Sequence, residues 1–210
     1  FVCQSCGAEH RKWIGQCPDC GDWNSISEQT IEATTQRLGS KSKPLGASPI
    51  TEVNSQSSPR RSSQIEELDR VLGGGIVPGS GILIGGNPGI GKSTLLLQAA
   101  AKLASQSSKP VLYITGEESI QQVHLRGERI DALHDNLLLV SACELESILA
   151  TIEQIKPGFV VIDSIQTTVS NRLTSAPGTV SQVRDCAAAL IQNAKRIDRK
   201  STRLNSSHIT

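Results

Sequence analysis

With 210 residues, 37% of them hydrophobic, the chain can build one α/β core and a small appendage. A formal charge of +1 excludes nucleic-acid binding driven by overall charge and excludes an acidic-tail protein, so any such function must rest on local patches. No run approaches the roughly 20 apolar residues of a membrane span, and the first residues carry no signal-peptide pattern. A cytoplasmic protein with no membrane partner is expected, where paired cysteines read as metal ligands before disulfides. The absence of methionine reads as a chain that begins inside a longer gene product.

Residues 1–24 form a cysteine-rich unit. Cys3-x-x-Cys6 is followed, after a ten-residue gap, by Cys17-x-x-Cys20, and each pair is followed by a glycine, Gly7 and Gly21. Two such pairs can set four thiolates tetrahedrally around Zn²⁺. The glycines suit a tight knuckle that turns backbone amides toward sulfur. Two disulfides or four free thiols are the alternatives; zinc is the expectation. His10 is a spare ligand, but four cysteines already fill the site, so the metal would be structural. Phe1, Trp13 and Trp23, three of the five aromatics, fall in this unit, where they can cover a metal site that few aliphatics protect.

Residues 25–62 are rich in Ser, Thr, Gln and Pro and read as a flexible linker. Arg37, Lys41, Lys43, Arg60 and Arg61 face a single acid, Glu52, between residues 33 and 63. Solubility is the reading of that charge preferred over a nucleic-acid contact.

From residue 65 onward, strands and helices alternate. A buried strand is expected over 81–85, running into a glycine loop, and a helix over 92–105. Strands follow over 111–115, 137–140 and 159–163, with helices over 118–130 and 144–156 between them. A last helix over 179–197 aligns Val180, Val183, Ala187, Leu190, Ile191 and Ala194 on one face. Short apolar strands separated by helices give an α/β fold, a mostly parallel sheet covered on both faces, over residues 63–197.

Gly86-Asn87-Pro88-Gly89-Ile90-Gly91-Lys92-Ser93 fits G-x-x-x-x-G-K-[ST] in full. The glycines let backbone amides curl toward phosphate, and the helix that follows offers its positive end to the same anion. Lys92 would reach the β and γ phosphates, Ser93 would ligate Mg²⁺, and Thr94 would sit near the α phosphate. Asp163 ends a buried strand, the Walker B position for a carboxylate that holds Mg²⁺ through water; the alternative is a loop-capping Asp. Glu117 and Glu118 follow the 111–115 strand, on the ligand edge of an open sheet. Either could polarise the water that attacks the γ phosphate, or both could simply favour the start of the next helix.

Four segments carry a family resemblance. Residues 65–80 (IEELDRVLGGGIVPGS), 85–94 (GGNPGIGKST), 113–119 (YITGEES) and 161–167 (VIDSIQT) resemble the RadA (Sms) family of bacterial DNA repair proteins, and the two cysteine knuckles resemble that family's zinc finger. The resemblance covers residues 1–197. It implies a RecA-like ATPase core acting in homologous recombination, with ATP as substrate, binding single-stranded and branched DNA, ring-shaped homo-hexamers and recombination proteins such as RecA as partners. On the matching motif Glu117 is the catalytic glutamate and Glu118 the reserve. A zinc-dependent interaction module with a nucleotide switch is the competing reading. Clock-type and replicative-helicase-type RecA-like ATPases share the P-loop but not the zinc unit. Residues 198–210 depart from the family and read as a non-native tail after a truncated core. The resemblance therefore implies that residues 1–210 alone hydrolyse ATP poorly, which turnover beside a chain of the family's length would check.

Overall fold

The computed structural model describes residues 1–27, 49–52 and 59–206. Arg37, Lys41 and Lys43 lie outside them, as does most of the expected linker.

Two short strands, β1 (Val2–Cys3) and β2 (Ile26–Ser27), pair antiparallel and close the cysteine unit on itself. The pairing carries the unit past residue 24, the edge that the cysteine spacing marks. Ile26 is the reason: with Cys3 and Cys17 it forms the unit's small apolar centre, against which Phe1, Ala8 and Ile14 pack.

The larger body is built around β3 (Val111–Thr115), whose β-branched and aromatic residues are all buried. Strand β4 (Leu137–Ser141) pairs with it on one side and β5 (Phe159–Asp163) on the other, both parallel, giving the order β4-β3-β5. Alternation sorts the side chains of β3 between two layers. Val111 and Tyr113 join a cluster with Leu97, Ala100, Leu103 and Ala104 of α2 (Lys92–Gln106) and Val123 of α3 (Ile120–Arg129). Leu112 and Ile114 meet Ile148 and Ile152 of α4 (Leu145–Ile155) and Leu190 of α5 (Val180–Ser206). Ser119 opens α3 through a capping box with Gln122, in which the Ser119 hydroxyl accepts from the Gln122 amide and the Gln122 side chain accepts from the Ser119 amide.

Three further expectations differ from the structure. Residues 81–85 form no strand: Ile82 is 42% exposed and Leu83 82% exposed. A strand exists through its neighbour's N–H and C=O groups, and among the described residues the sheet ends at β5. Its first residue, Gly81, lies against α5 instead, where a Cβ would come within 2.8 Å of Ile191 Cγ1. Helix α5 continues to Ser206, well past 197, since no glycine or proline interrupts residues 198–206 and extending a formed helix is cheap. Residues 60–62 are not linker. Arg61 pairs its backbone with Ile76, and Arg60 donates from Nη1 to the carbonyls of Leu72 (2.9 Å) and Gly75 (3.2 Å) at the end of α1 (Glu66–Val71).

Asp69 of α1 ties the same segment down. It accepts from the Ser62 hydroxyl at 2.6 Å, the Ser63 hydroxyl at 2.7 Å and the Ser63 amide at 2.8 Å, and Ser63 is fully buried. These bonds, the Ser62 hydroxyl foremost, hold the Asp69 carboxyl below its ordinary value. A folded-state value below the unfolded one gives stability that is complete above the unfolded value and lost as pH falls through the folded one. Asp69→Ala strands the Ser63 donors, so we expect a loss of about 1–3 kcal/mol at neutral pH. Urea unfolding should show the gap between variant and parent closing as pH drops below about 4.

Candidate functional site

The four cysteine sulfurs converge. Cys3 Sγ lies 3.6 Å from Cys20 Sγ, Cys6 Sγ lies 3.6 Å from Cys17 Sγ, and all four fall within 4.8 Å of one another. Tetrahedral zinc with Zn–S bonds near 2.3 Å separates its sulfurs by about 3.8 Å, so the spacing fits one ion. Gly7 and Gly21 stand at φ +78° and +76°, and each donates its amide to the carbonyl of the first cysteine of its knuckle at 2.8 Å. Those are left-handed conformations that a side chain would strain. The thiols cannot ionise together without a cation. At Cys3 burial works upward, but bonds from Ser25 and the knuckle amides bring the value down to about 6. At Cys6 the Ala8 amide works downward, yet desolvation and the other three cysteines push it up to about 12. His10 stands 3.5 Å from Cys17 Sγ and 3.8 Å from Asp19, beside the four-sulfur set rather than within it.

The module sits on the start of α5. A Cβ at Gly7 would lie 3.0 Å from Val180 Cγ1, and the Ser181 hydroxyl donates to Gln4 Oε1 at 3.0 Å.

The second site gathers at the carboxyl edge of the sheet. Gly91, at φ +97°, caps the N-terminus of α2 without a side-chain bond, and no acid occupies the helix's first turn. The first amides of α2 are therefore left for an anion. Lys92 folds back over the loop, donating from Nζ to the carbonyls of Gly86 (2.8 Å) and Asn87 (2.9 Å). Pro88, Gly89 and Ile90 form the exposed tip between them, and Ser93 and Thr94 open the helix. A short link joins α2 to β3, so the helix runs back along the strand. At 15 residues it spans about 22 Å against about 17 Å for β3, which carries its N-terminus beyond the strand's carboxyl end.

At that end Thr115 pairs with Asp163 across the β3–β5 ladder. The Tyr113 hydroxyl donates to Asp163 Oδ2 at 2.6 Å, and the Ser164 hydroxyl donates to Glu117 Oε1 at 2.7 Å. Burial first, and the Asp163 carboxylate second, hold the Tyr113 phenol protonated far above its ordinary range. Glu118 turns away and pairs with Arg126 of α3, while Thr115 Oγ1 donates to its carbonyl at 2.8 Å. A Cβ at Gly116 would collide with Thr167, whose hydroxyl donates to the Ser164 carbonyl at 2.9 Å. The segments that carry the family resemblance contain Tyr113, Ser164 and Thr167 but assign them no role, and nothing in the sequence pointed to Arg126. Their proximity follows from strand register and, for Arg126, from the packing of α3.

Residues 47–202 match the model described as an AAA domain, and residues 1–28 match a rubredoxin metal binding domain. The chain belongs to the AAA domain family. It is an α/β P-loop NTPase core with a parallel three-stranded sheet, preceded by a four-cysteine ribbon. It is RadA-like: it is 50% identical to DNA repair protein RadA of Listeria monocytogenes, 49% to that of Bacillus subtilis and 48% to that of Pseudomonas aeruginosa, each over 93% of this chain. The chain spans 43–44% of the length of these curated relatives. No helix among the described residues is long and apolar enough to cross a membrane.

The cysteine cluster and the ribbon match together support a structural zinc. Purified protein is expected to hold about one zinc per chain by atomic absorption. Cys3→Ser or Cys17→Ser should lose both the metal and the order of residues 1–27, because in so small a unit binding energy is folding energy. An ordered, metal-free module would refute the assignment.

Proposed function

We propose that the protein is an ATP-dependent DNA repair and recombination ATPase that binds single-stranded and branched DNA and processes recombination intermediates. The observation that carries the ATPase part is the arrangement at the sheet edge. An uncapped helix N-terminus follows a glycine loop, β5 ends on Asp163 opposite Thr115, and Glu117 just past β3 is bonded by Ser164 just past β5. The DNA part rests on relatives, 44–50% identical over 93% of this chain, that are named DNA repair protein RadA.

In this reading the loop Gly86 to Ser93 and Thr94 hold the triphosphate. Lys92 leaves the Gly86 and Asn87 carbonyls for the β and γ phosphates. Ser93 and Asp163 hold Mg²⁺, which screens phosphate charge when bound. Glu117, oriented by Ser164, accepts a proton from the attacking water. Two contacts support Glu117 over Glu118: Glu118 is engaged by Arg126, and Glu117 bonds to the residue that follows Asp163. A homo-hexamer, RecA-type partners and a cytoplasmic setting complete the proposal; the P-loop reading stands without them.

Kinetics and binding separate the roles. Lys92→Ala should lower turnover by about 100-fold or more and weaken nucleotide binding, the scale of losing one donor to transition-state charge. Glu117→Gln should keep nucleotide binding and lose about 10²–10⁴-fold in turnover. Glu118→Gln should mainly lower stability, because Arg126, only 14% exposed, loses its charged partner. Normal turnover in Glu117→Gln with loss in Glu118→Gln would reverse the assignment.

DNA affinity should fall linearly in log–log with salt, as counterion release requires, and single-stranded DNA should stimulate ATP turnover. Salt-independent affinity, or turnover indifferent to DNA, would remove the DNA half of the proposal. Arg60 calls for a stability control in such tests, since its guanidinium is spent on the carbonyls at the end of α1.

A further inference from the structure

Asp163 stands at the end of a strand, where a carboxylate with no neighbour would turn freely. One group holds it. Among the described residues, the Tyr113 hydroxyl is the single side-chain donor to the Asp163 carboxylate, at 2.6 Å on Oδ2. The phenol cannot follow a wandering partner. Tyr113 is fully buried, packed in the cluster that includes Val161 and the Leu97 face of α2. Register explains the reach. Tyr113 pairs with Val161 and Thr115 with Asp163 across the ladder, and alternation puts Tyr113, Val161 and Asp163 on the same face of the sheet.

We propose that Tyr113 is a positioning residue for the Mg²⁺–nucleotide, acting through Asp163: its hydroxyl fixes the carboxylate rotamer, occupies Oδ2 and leaves the other oxygen for the metal's water shell. This rests on the ATPase reading above and deepens it. Bulk alone does not account for the hydroxyl, because phenylalanine would fill the same apolar volume. A buried phenol needs an acceptor, but a backbone carbonyl would serve that need without binding the one carboxylate at the strand end. A neutral donor also holds its acceptor without bringing an opposing charge to the site, as a lysine or arginine would. Arg126 and Glu118 lie near the same phenol. They are paired with each other, so they add little net charge at Asp163.

The test uses the protein at the length of its relatives and its Tyr113→Phe variant. A fluorescent ADP analogue is titrated first in EDTA, then at rising free Mg²⁺. In EDTA the two proteins should bind alike, because the P-loop is untouched. With Mg²⁺, the variant's midpoint should move to about 10-fold higher metal, the low end of the loss seen when a ligand's orienting partner is removed. Excess Mg²⁺ should then restore its turnover, which a general loss of stability would not allow. Equal Mg²⁺ midpoints in folded proteins overturn the proposal. Failure of the parent to bind the analogue under any condition overturns the ATPase reading instead. Fluorotyrosine can be placed at residue 113 alone by site-specific incorporation. A fluorotyrosine at that position gives an assignable ¹⁹F signal, which decides the matter even if Tyr113→Phe fails to fold. The signal should shift when Mg²⁺ joins bound nucleotide, and an unmoved signal rejects the role.

Discussion

The site depends on the parallel ladder between β3 and β5. Everything chemical at the sheet edge is placed by the register that sets Thr115 opposite Asp163. Once that pair is fixed, the Gly116 amide donates to the Asp163 carbonyl at 2.8 Å, and the two chains leave the sheet together. Glu117, two residues past β3, and Ser164, one past β5, then meet, and Tyr113 reaches diagonally to Asp163. A slip of one residue would turn Tyr113 and Asp163 toward opposite faces. The five fully buried residues of β3 make such a slip costly, because Leu112 and Ile114 would trade places with Tyr113 and Thr115 across two apolar layers.

The ribbon follows a different logic. Its apolar centre consists of two cysteines and Ile26, too little to fold a chain of this size. Order there must come from the four sulfurs, whose mutual repulsion as thiolates is relieved only by a cation. Trp13 and Trp23, expected to cover the metal, are 56% and 68% exposed and stand outside that apolar centre. The surface that meets the larger body is the first knuckle, through the Gln4 side chain and through Gly7. A glycine that permits a left-handed turn toward sulfur also permits close approach to Val180. Metal binding and docking thus draw on the same few residues.

How much of this was legible in sequence divides along local and non-local lines. The P-loop, the cysteine pairs, strands β3, β4 and β5 and the helices between them are written in patterns shorter than twenty residues. Propensity and periodicity read such patterns directly. Partners across the sheet are not. That Glu118 belongs to Arg126 while Glu117 belongs to Ser164 follows from how α3 packs and which strand neighbours which. The two acids are adjacent in sequence and equivalent in type. Gln182 was equally silent. It is 2% exposed and accepts from the Ser170 amide at 2.9 Å, pinning the loop after β5 from a helix whose sequence shows only an apolar stripe.

Residues 81–85 show the same limit from the other side. Their composition, Gly-Ile-Leu-Ile-Gly, is that of a buried strand, yet Leu83 is 82% exposed. Propensity for a strand is a preference for a pleated, half-buried surface, and it has no force where no neighbour supplies the ladder. Among the described residues, β4 has its free edge on the far side and β5 leaves its outer edge unpaired. A parallel sheet buried on both faces does not leave an inner edge bare without consequence. The glycine loop inherits the result. Behind it stands a segment outside the sheet, touching α5 at Gly81, and ahead of it a rigid helix, and Lys92 rests on the loop's own carbonyls of Gly86 and Asn87. An anion arriving at the first turn of α2 would compete with those two carbonyls for the ammonium. Phosphate carries full charge where a carbonyl carries a partial one, and charge-assisted bonds are about twice as strong as neutral ones. The folded-back lysine therefore keeps the loop closed with its cation still available, rather than committing it to a carboxylate that a phosphate could not easily displace.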